Sequence, residues 1–321
     1  MENHGIFRKR GRPLVFGVFR DSVVSQALAE DPGHSPAIDS PSCFAYDSAM
    51  KAIPSMFSLG FCLIGAGLLW PVGARAADLV HAKDGSGVYG YKDTPKLPWC
   101  QWLVHDPDRP NPKPVDPGKA GPPAPRPSDA IVLFDGQDVS KWEAMGDWKV
   151  ADGCLVSGDS PFATKDRFGS IQLHVEWMGP AGFQGPWYNQ GNNGVMLMGL
   201  FEIQIFDSYN EKIYPDGACG AVYGQTPPLV NPTRPPGEWQ TYDIIFIAPK
   251  FDGDNLVSPA RVTVLQNGVL VQLNQQIYGE TGHRIVPQYT HKSSTGPLAF
   301  GGHGCPVRFR NLWLRRLEAG S

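Results

Sequence analysis

From residue 130 onward the chain alternates apolar and polar positions with a period of two. Ile171, Leu173, Val175 and Trp177 alternate with Gln172, His174 and Glu176, and Phe201, Ile203 and Ile205 alternate with Glu202 and Gln204. That period is the mark of half-buried strands, because successive side chains of a strand point to opposite faces. Ile131–Phe134, the stretch around Trp148–Leu155, 195–198, 240–247, 261–265 and the segment from Val307 to Leu314 read as further strands. Asp152-Gly153 and Asn267-Gly268 are two-residue hairpin turns. On the last strand the parity of Val307 and Phe309 slips at Asn311 before Leu312 and Leu314, which predicts a bulge there. No helix-length amphipathic segment occurs. At least eight short strands separated by turn signals predict an all-β fold, a two-sheet sandwich or jelly roll.

The segments before residue 130 read differently. Residues 95–127 hold 11 prolines in 33 positions, a composition that excludes a helix or a central strand. The Gly/Pro-rich arm 77–129 nevertheless carries Trp99, Trp102, Leu103 and Val104, too apolar for a free linker, and is expected to pack on the domain 130–321. Met50-Lys51, an apolar run of about 15 residues from Met56 to Trp70 and the close Ala74-Arg75-Ala76 have the form of a secretory signal peptide over 50–76. The competing reading, a membrane anchor, needs roughly 20 apolar residues. On the signal-peptide reading Met50 is the natural start, 1–49 is a misassigned extension, the mature protein has no membrane span, and its place is periplasmic or extracellular.

The 321 residues carry a formal net charge of −3, which excludes a broadly basic nucleic-acid binder. Cys100, Cys154, Cys219 and Cys305 of the mature chain allow three pairings, with none selected by sequence. No Gly-rich phosphate loop, G-x-S-x-G elbow or H-E-x-x-H zinc helix is present. The candidate chemistry lies on strand faces and in glycine loops. Glu202 and Gln204 share one face, and Asp207 joins it only through a bulge. Such a set suits sugar hydroxyls, a metal, or acid/base work, and equally a solvated outer face. His174 and Glu176, two residues apart, could ligate a metal together. His303 in Gly301-Gly302-His303-Gly304 sits in a loop free to enter a cleft, and Asn193 just precedes another strand. Trp187, Tyr188, Tyr209 and Tyr223 occupy Gly/Pro-rich loops, where exposed rings stack on sugars or simply pack.

The motifs Leu133-Phe134-Asp135-Gly136, Trp142, Asn193-Gly194-Val195, the stretch Phe201–Tyr209, Gly237–Asp243 and Val307–Trp313 occur in an order that resembles the 3-keto-disaccharide hydrolase domain family, in an exported bacterial, planctomycete-like subgroup. The resemblance implies a concanavalin A-like, laminarinase-like jelly roll. It also implies removal of the aglycone from glycosides already oxidised to a ketone at C3, often with a divalent cation. On this basis Glu202, His303 and Asp207 are the expected catalytic residues. Asn193, Gln204, Trp187 and Tyr209 are expected to bind substrate, and Glu202, His174 and His303 to hold a metal. A sugar 3-dehydrogenase upstream is a partner in the pathway only. The subgroup carries Asp before and Asn two after the final His, where this chain has Gly302 and Cys305. A non-catalytic carbohydrate-binding module and a conventional retaining glycosidase are the alternatives. The second is weakened because Gln204 and Asp207 stand where a laminarinase-type strand has acidic residues.

Overall fold

The computed structural model describes residues 78–317; the expected extension 1–49 and signal segment 50–76 lie outside the described residues. Two antiparallel sheets form the all-β jelly-roll sandwich expected from the alternation. The larger runs in the order 269–276, 261–266, 240–247, 171–178, 308–316, 154–156, 149–151, with Ile131–Phe134 also paired to Arg308–Arg316. The smaller sheet runs Phe201–Ile205, Asn193–Leu197, Gly296–Phe300, Phe162–Phe168. Two strands of the smaller sheet were not anticipated. Phe162–Phe168 has an exposed, charged middle (Lys165-Asp166-Arg167), and Gly296–Phe300 contains a proline. Gly296–Phe300 pairs with a strand on either side and Phe162–Phe168 with one, and this pairing overrides both signals.

The predicted turns form. Asp152 and Gly153, and likewise Asn267 and Gly268, all take positive φ (51°, 69°, 53° and 79°), the geometry of a tight hairpin turn. Asn311 has φ 49°, and the register of its strand breaks between Arg310 and Trp313, the expected bulge. Helical structure among the described residues is limited to two short 3₁₀ turns, Trp187–Asn189 and Pro215–Gly217. None is long and apolar enough to cross a membrane.

Between the sheets lie Phe201, Ile203 and Ile205 from one side and Tyr242, Ile244 and Phe246 from the other, all at most 1% exposed. Each such side chain contributes about 2 kcal/mol by leaving water. Toward one end Trp142, Trp148, Phe162, Phe300 and Phe309 pack ring on ring, with the Trp142 and Phe162 centroids 4.7 Å apart. Cys100, Cys154, Cys219 and Cys305 are all unpaired thiols.

The Pro-rich segment packs along the sandwich. Lys113–Pro114 pairs in parallel with Val230–Asn231. Farther on, Ala124 N donates to Glu176 Oε1 (3.0 Å), Ala124 O accepts from Asn311 Nδ2 (2.9 Å) and Arg126 Nε donates to Asn311 Oδ1 (2.9 Å). The bulge thus turns an amide outward that clamps the arm to the larger sheet. Earlier residues contribute Tyr89, Tyr91, Leu97 and Val104 as buried side chains.

Candidate active-site cleft

Glu202 and Gln204 sit on the edge strand of the smaller sheet, with Phe201, Ile203 and Ile205 turned into the core. Alternation therefore directs Glu202 and Gln204 to the opposite face. An edge strand has unpaired backbone groups, and here loops satisfy them. Gln204 N donates to Ala221 O, Tyr223 N to Glu202 O, and Glu202 N to Thr281 Oγ1 (3.0, 3.2 and 2.9 Å). These bonds draw the loop around 214–226 and the loop around 279–284 beside Glu202. The result is a cleft of about 420 Å³ whose lining includes Glu202, Gln204, Trp187, Tyr223, His283 and His303. Tyr91, Tyr188, Asn192, Ile213, Tyr214 and Thr281 complete it.

The cleft is electrostatically unusual. No side chain among the described residues hydrogen-bonds or ion-pairs with the Glu202 carboxylate. Desolvation by the surrounding protein pushes its pKa up to about 8. Burial, with smaller contributions from His105 and Arg284, lowers His283 to about 4, so its imidazole is neutral at pH 7. His283 Nδ1 lies 3.0 Å from Tyr223 Oη, which lies 2.9 Å from Tyr214 Oη. Where Tyr214 donates to Tyr223 and Tyr223 to Nδ1, the imidazole proton sits on Nε2, free to donate to a ligand. Both phenols are pushed well up, chiefly by burial, and remain protonated. His303 stands at the open side of the cleft; burial of its ring lowers its pKa, and the charge of Asp159 opposes that shift.

Behind this row lies a second polar group. Asp216, fully buried, accepts from His105 N (3.0 Å) and faces His105 Nδ1 at 3.3 Å, with Arg109 Nη1 at 3.9 Å. His105 Nε2 accepts from Arg284 N (3.3 Å), which leaves the ring proton on Nδ1, toward Asp216. The His105 ring lies 4.0 Å from the Tyr214 ring and 5.1 Å from that of His283, centroid to centroid.

Of the residues singled out from the sequence, Glu202, Gln204, Trp187, Tyr188, Tyr223 and His303 meet in this cleft. The others do not. His174 alternates with core-facing Leu173 and Val175 on the larger sheet, so it points away from the sandwich interior on the side opposite Glu202. There it bonds Asp243 Oδ1 (2.7 Å) and faces Glu176 Oε1 (3.4 Å). The placement corrects the expectation that it shares a metal with Glu202. Asp207 caps a turn, accepting from the N–H groups of Tyr209 and Asn210 (both 3.1 Å) and from Asn210 Nδ2 (3.0 Å). Tyr209 is exposed over a separate groove lined by Pro114, Lys119 and Asn231. Asn193 pairs with Ile205, shares its core-directed parity and is fully buried; Asn192 lines the cleft instead. His283 was missed. Its signal, a histidine after glycine in Thr281-Gly282-His283-Arg284, has the same form as the one around His303, but only folding brings it beside Glu202.

Among the described residues no three His, Cys, Asp or Glu side chains are gathered to hold a metal ion. Glu202, His283 and His303 all line the cleft, but they are not drawn together around one point. As placed, these donors do not fit the divalent cation implied by the resemblance.

Comparison with known proteins places these features in context. A family model described as a 3-keto-alpha-glucoside-1,2-lyase-like domain matches residues 129–315. A crystal structure of a provisionally assigned glycosyl hydrolase from Parabacteroides distasonis ATCC 8503 is 40% identical, with a TM-score of 0.57, over 59% of this chain and 84% of that one. A second provisionally assigned glycosyl hydrolase of the same organism is 22% identical, with a TM-score of 0.44, over 59% of this chain and 94% of that one. No curated protein matches.

Proposed function

The chain belongs to the 3-keto-alpha-glucoside-1,2-lyase-like domain family, and from that membership we propose that its cleft expels the C1 substituent from glycosides carrying a ketone at C3. The carbohydrate-related function follows from the family. The particular reaction is our reading of the cleft, and its chief support is one observation: a carboxylate without a protein partner, raised to about 8, facing a neutral imidazole across the same hollow.

A ketone at C3 acidifies the hydrogen on C2. Ionised Glu202 takes that proton, and the electron pair moves toward O3 to give an enolate. His283 Nε2–H donates a hydrogen bond to O3, as a neutral electrophile whose proton is held in place by Tyr223. The pair then returns to form the C1–C2 double bond as the C1–O bond breaks. The proton on Glu202 passes to the departing oxygen, so an alcohol leaves and the carboxylate is regenerated. Water can later add across the double bond, which completes a net hydrolysis. No oxocarbenium ion is needed, hence no pair of carboxylates flanking the bond. Trp187 and Tyr188 offer ring faces to the sugar. We further propose that Gln204 orients a hydroxyl and that the protein works outside the cytoplasm, as the signal-peptide reading of 50–76 has it. A separate oxidoreductase must first supply the ketone.

The test is aglycone release from a 3-keto-glucoside and from its unoxidised parent. The proposal expects release from the keto compound alone. Release from the parent would instead support a conventional glycosidase, and binding without release from either would support a lectin.

A further inference from the structure

Register puts two cross-strand rows on the cleft side of the smaller sheet. Glu202 pairs with Met196, and Met196 with Ala299. One step along, Gln204 pairs with Gly194, whose carbonyl accepts from Gly301 N at 3.0 Å. The second row thus carries a single side chain and two bare glycines. Neither glycine has a positive φ, so neither is required by backbone conformation. Gly194 has a local reason: a Cβ there would lie 2.3 Å from Glu202 Oε1, so its absence lets the carboxylate fold sideways across the strand. Gly301 has none. A Cβ there would stand 3.5 Å from Gly194 N and 3.8 Å from His303 Nε2, with nothing nearer. The fold would accept alanine, whose methyl group would meet the sheet and His303 at ordinary contact distance.

We propose that Gly301 is a specificity-determining residue, and that its lack of a side chain lets the C1–C2 edge of a pyranose ring approach the sheet beside Glu202. The inference rests on the proposed reaction, which it deepens. Removing a proton from carbon needs the reacting atoms about 3–3.5 Å apart, and a displacement of about 1 Å costs roughly 100-fold in rate. A methyl group at 301 imposes a displacement of that size.

The experiment compares Gly301→Ala, Gly194→Ala and the unaltered protein. It measures turnover of a 3-keto-glucoside, binding of methyl glucoside by titration calorimetry, the pH profile, and the thermal midpoint. For Gly301→Ala we expect an unchanged thermal midpoint and an unchanged pH limb, with kcat/KM and methyl glucoside affinity each lower by at least about 10-fold. For Gly194→Ala we expect the limb itself to move, because the methyl displaces the carboxylate. Equal turnover and binding by Gly301→Ala, or loss of its fold, would overturn this close approach. If the unaltered protein binds methyl glucoside and turns over no keto-glycoside while Gly301→Ala loses binding, the close approach stands and the reaction fails. If the unaltered protein neither binds nor reacts, both fall.

Discussion

A glutamate on the polar face of a strand ordinarily keeps its charge in water. Glu202 departs from this because the 214–226 and 279–284 loops wall it in without giving it a partner, and its pKa rises to about 8. Two outcomes follow. First, kcat/KM on a 3-keto-glycoside should climb with pH and level off above an apparent pKa near 8, since the ionised form is the base. Glu202→Gln should lower turnover by at least about 100-fold across that range; steady-state pH profiles check both. Second, a carboxyl raised by folding favours the native state at low pH and withdraws that support as pH rises through the folded value. Glu202→Gln should therefore leave stability at pH 4 unchanged and raise it at pH 9 by more than about 1 kcal/mol, read by urea denaturation. The residue types at this site were legible, because the alternation fixed which side chains share a face. Asn193 and Asp207 show the limit: one residue of parity turns Asn193 toward the core, and Asp207 spends its oxygens on a turn.

At the scale of elements, the strand Ile171–Met178 shows how a pattern that resembles a site can be a joint. His174, Glu176 and Arg310 lie on the outer face of the larger sheet, where Glu176 accepts from Arg310 Nε (2.7 Å), Asn311 Nδ2 (2.8 Å) and Ala124 N (3.0 Å). Burial opposes both charges, yet the hydrogen bonds prevail: Glu176 falls to about 2 and His174 rises to about 9. Glu176 therefore contributes stability above its unfolded pKa, lost as pH falls toward 2; His174 contributes below its unfolded pKa, lost as pH rises through 9. Glu176→Ala should cost about 3 kcal/mol at pH 7, because it strands a buried cation and the clamp on the arm. That deficit should shrink by pH 3, and the arm around 119–127 should become protease-sensitive. Denaturation at the two pH values with limited proteolysis measures this, and an unchanged cleavage pattern would show that the clamp does not hold the arm. Two-residue turns and the bulge at Asn311 were readable because their chemistry is local. The strand Gly296–Phe300 was not, because only its neighbours on both sides make a proline-bearing segment a strand.

On the whole-molecule scale, the family match spans 129–315, yet the cleft is not built from those residues alone. Tyr91 lines it, and His105 stands behind Tyr214 and His283, both contributed by the preceding arm. A chain beginning at 129 should therefore unfold at a lower temperature than one beginning at 77 and should lose keto-glycoside turnover; calorimetry and the release assay test this together, and equal activity would remove the arm from the cleft. By itself the sequence determined the all-β class, the hairpin turns, the bulge, and the face on which Glu202 and Gln204 stand, because strand periodicity and turn chemistry act over a few neighbouring residues. Only the tertiary structure decided that His283 and Tyr223 join Glu202 while His174 lies across the sandwich. Which faces meet is set by sheet order and by loops closing over an edge strand, and these contacts join residues far apart on the chain, such as Arg310 with Glu176 and Thr281 with Glu202.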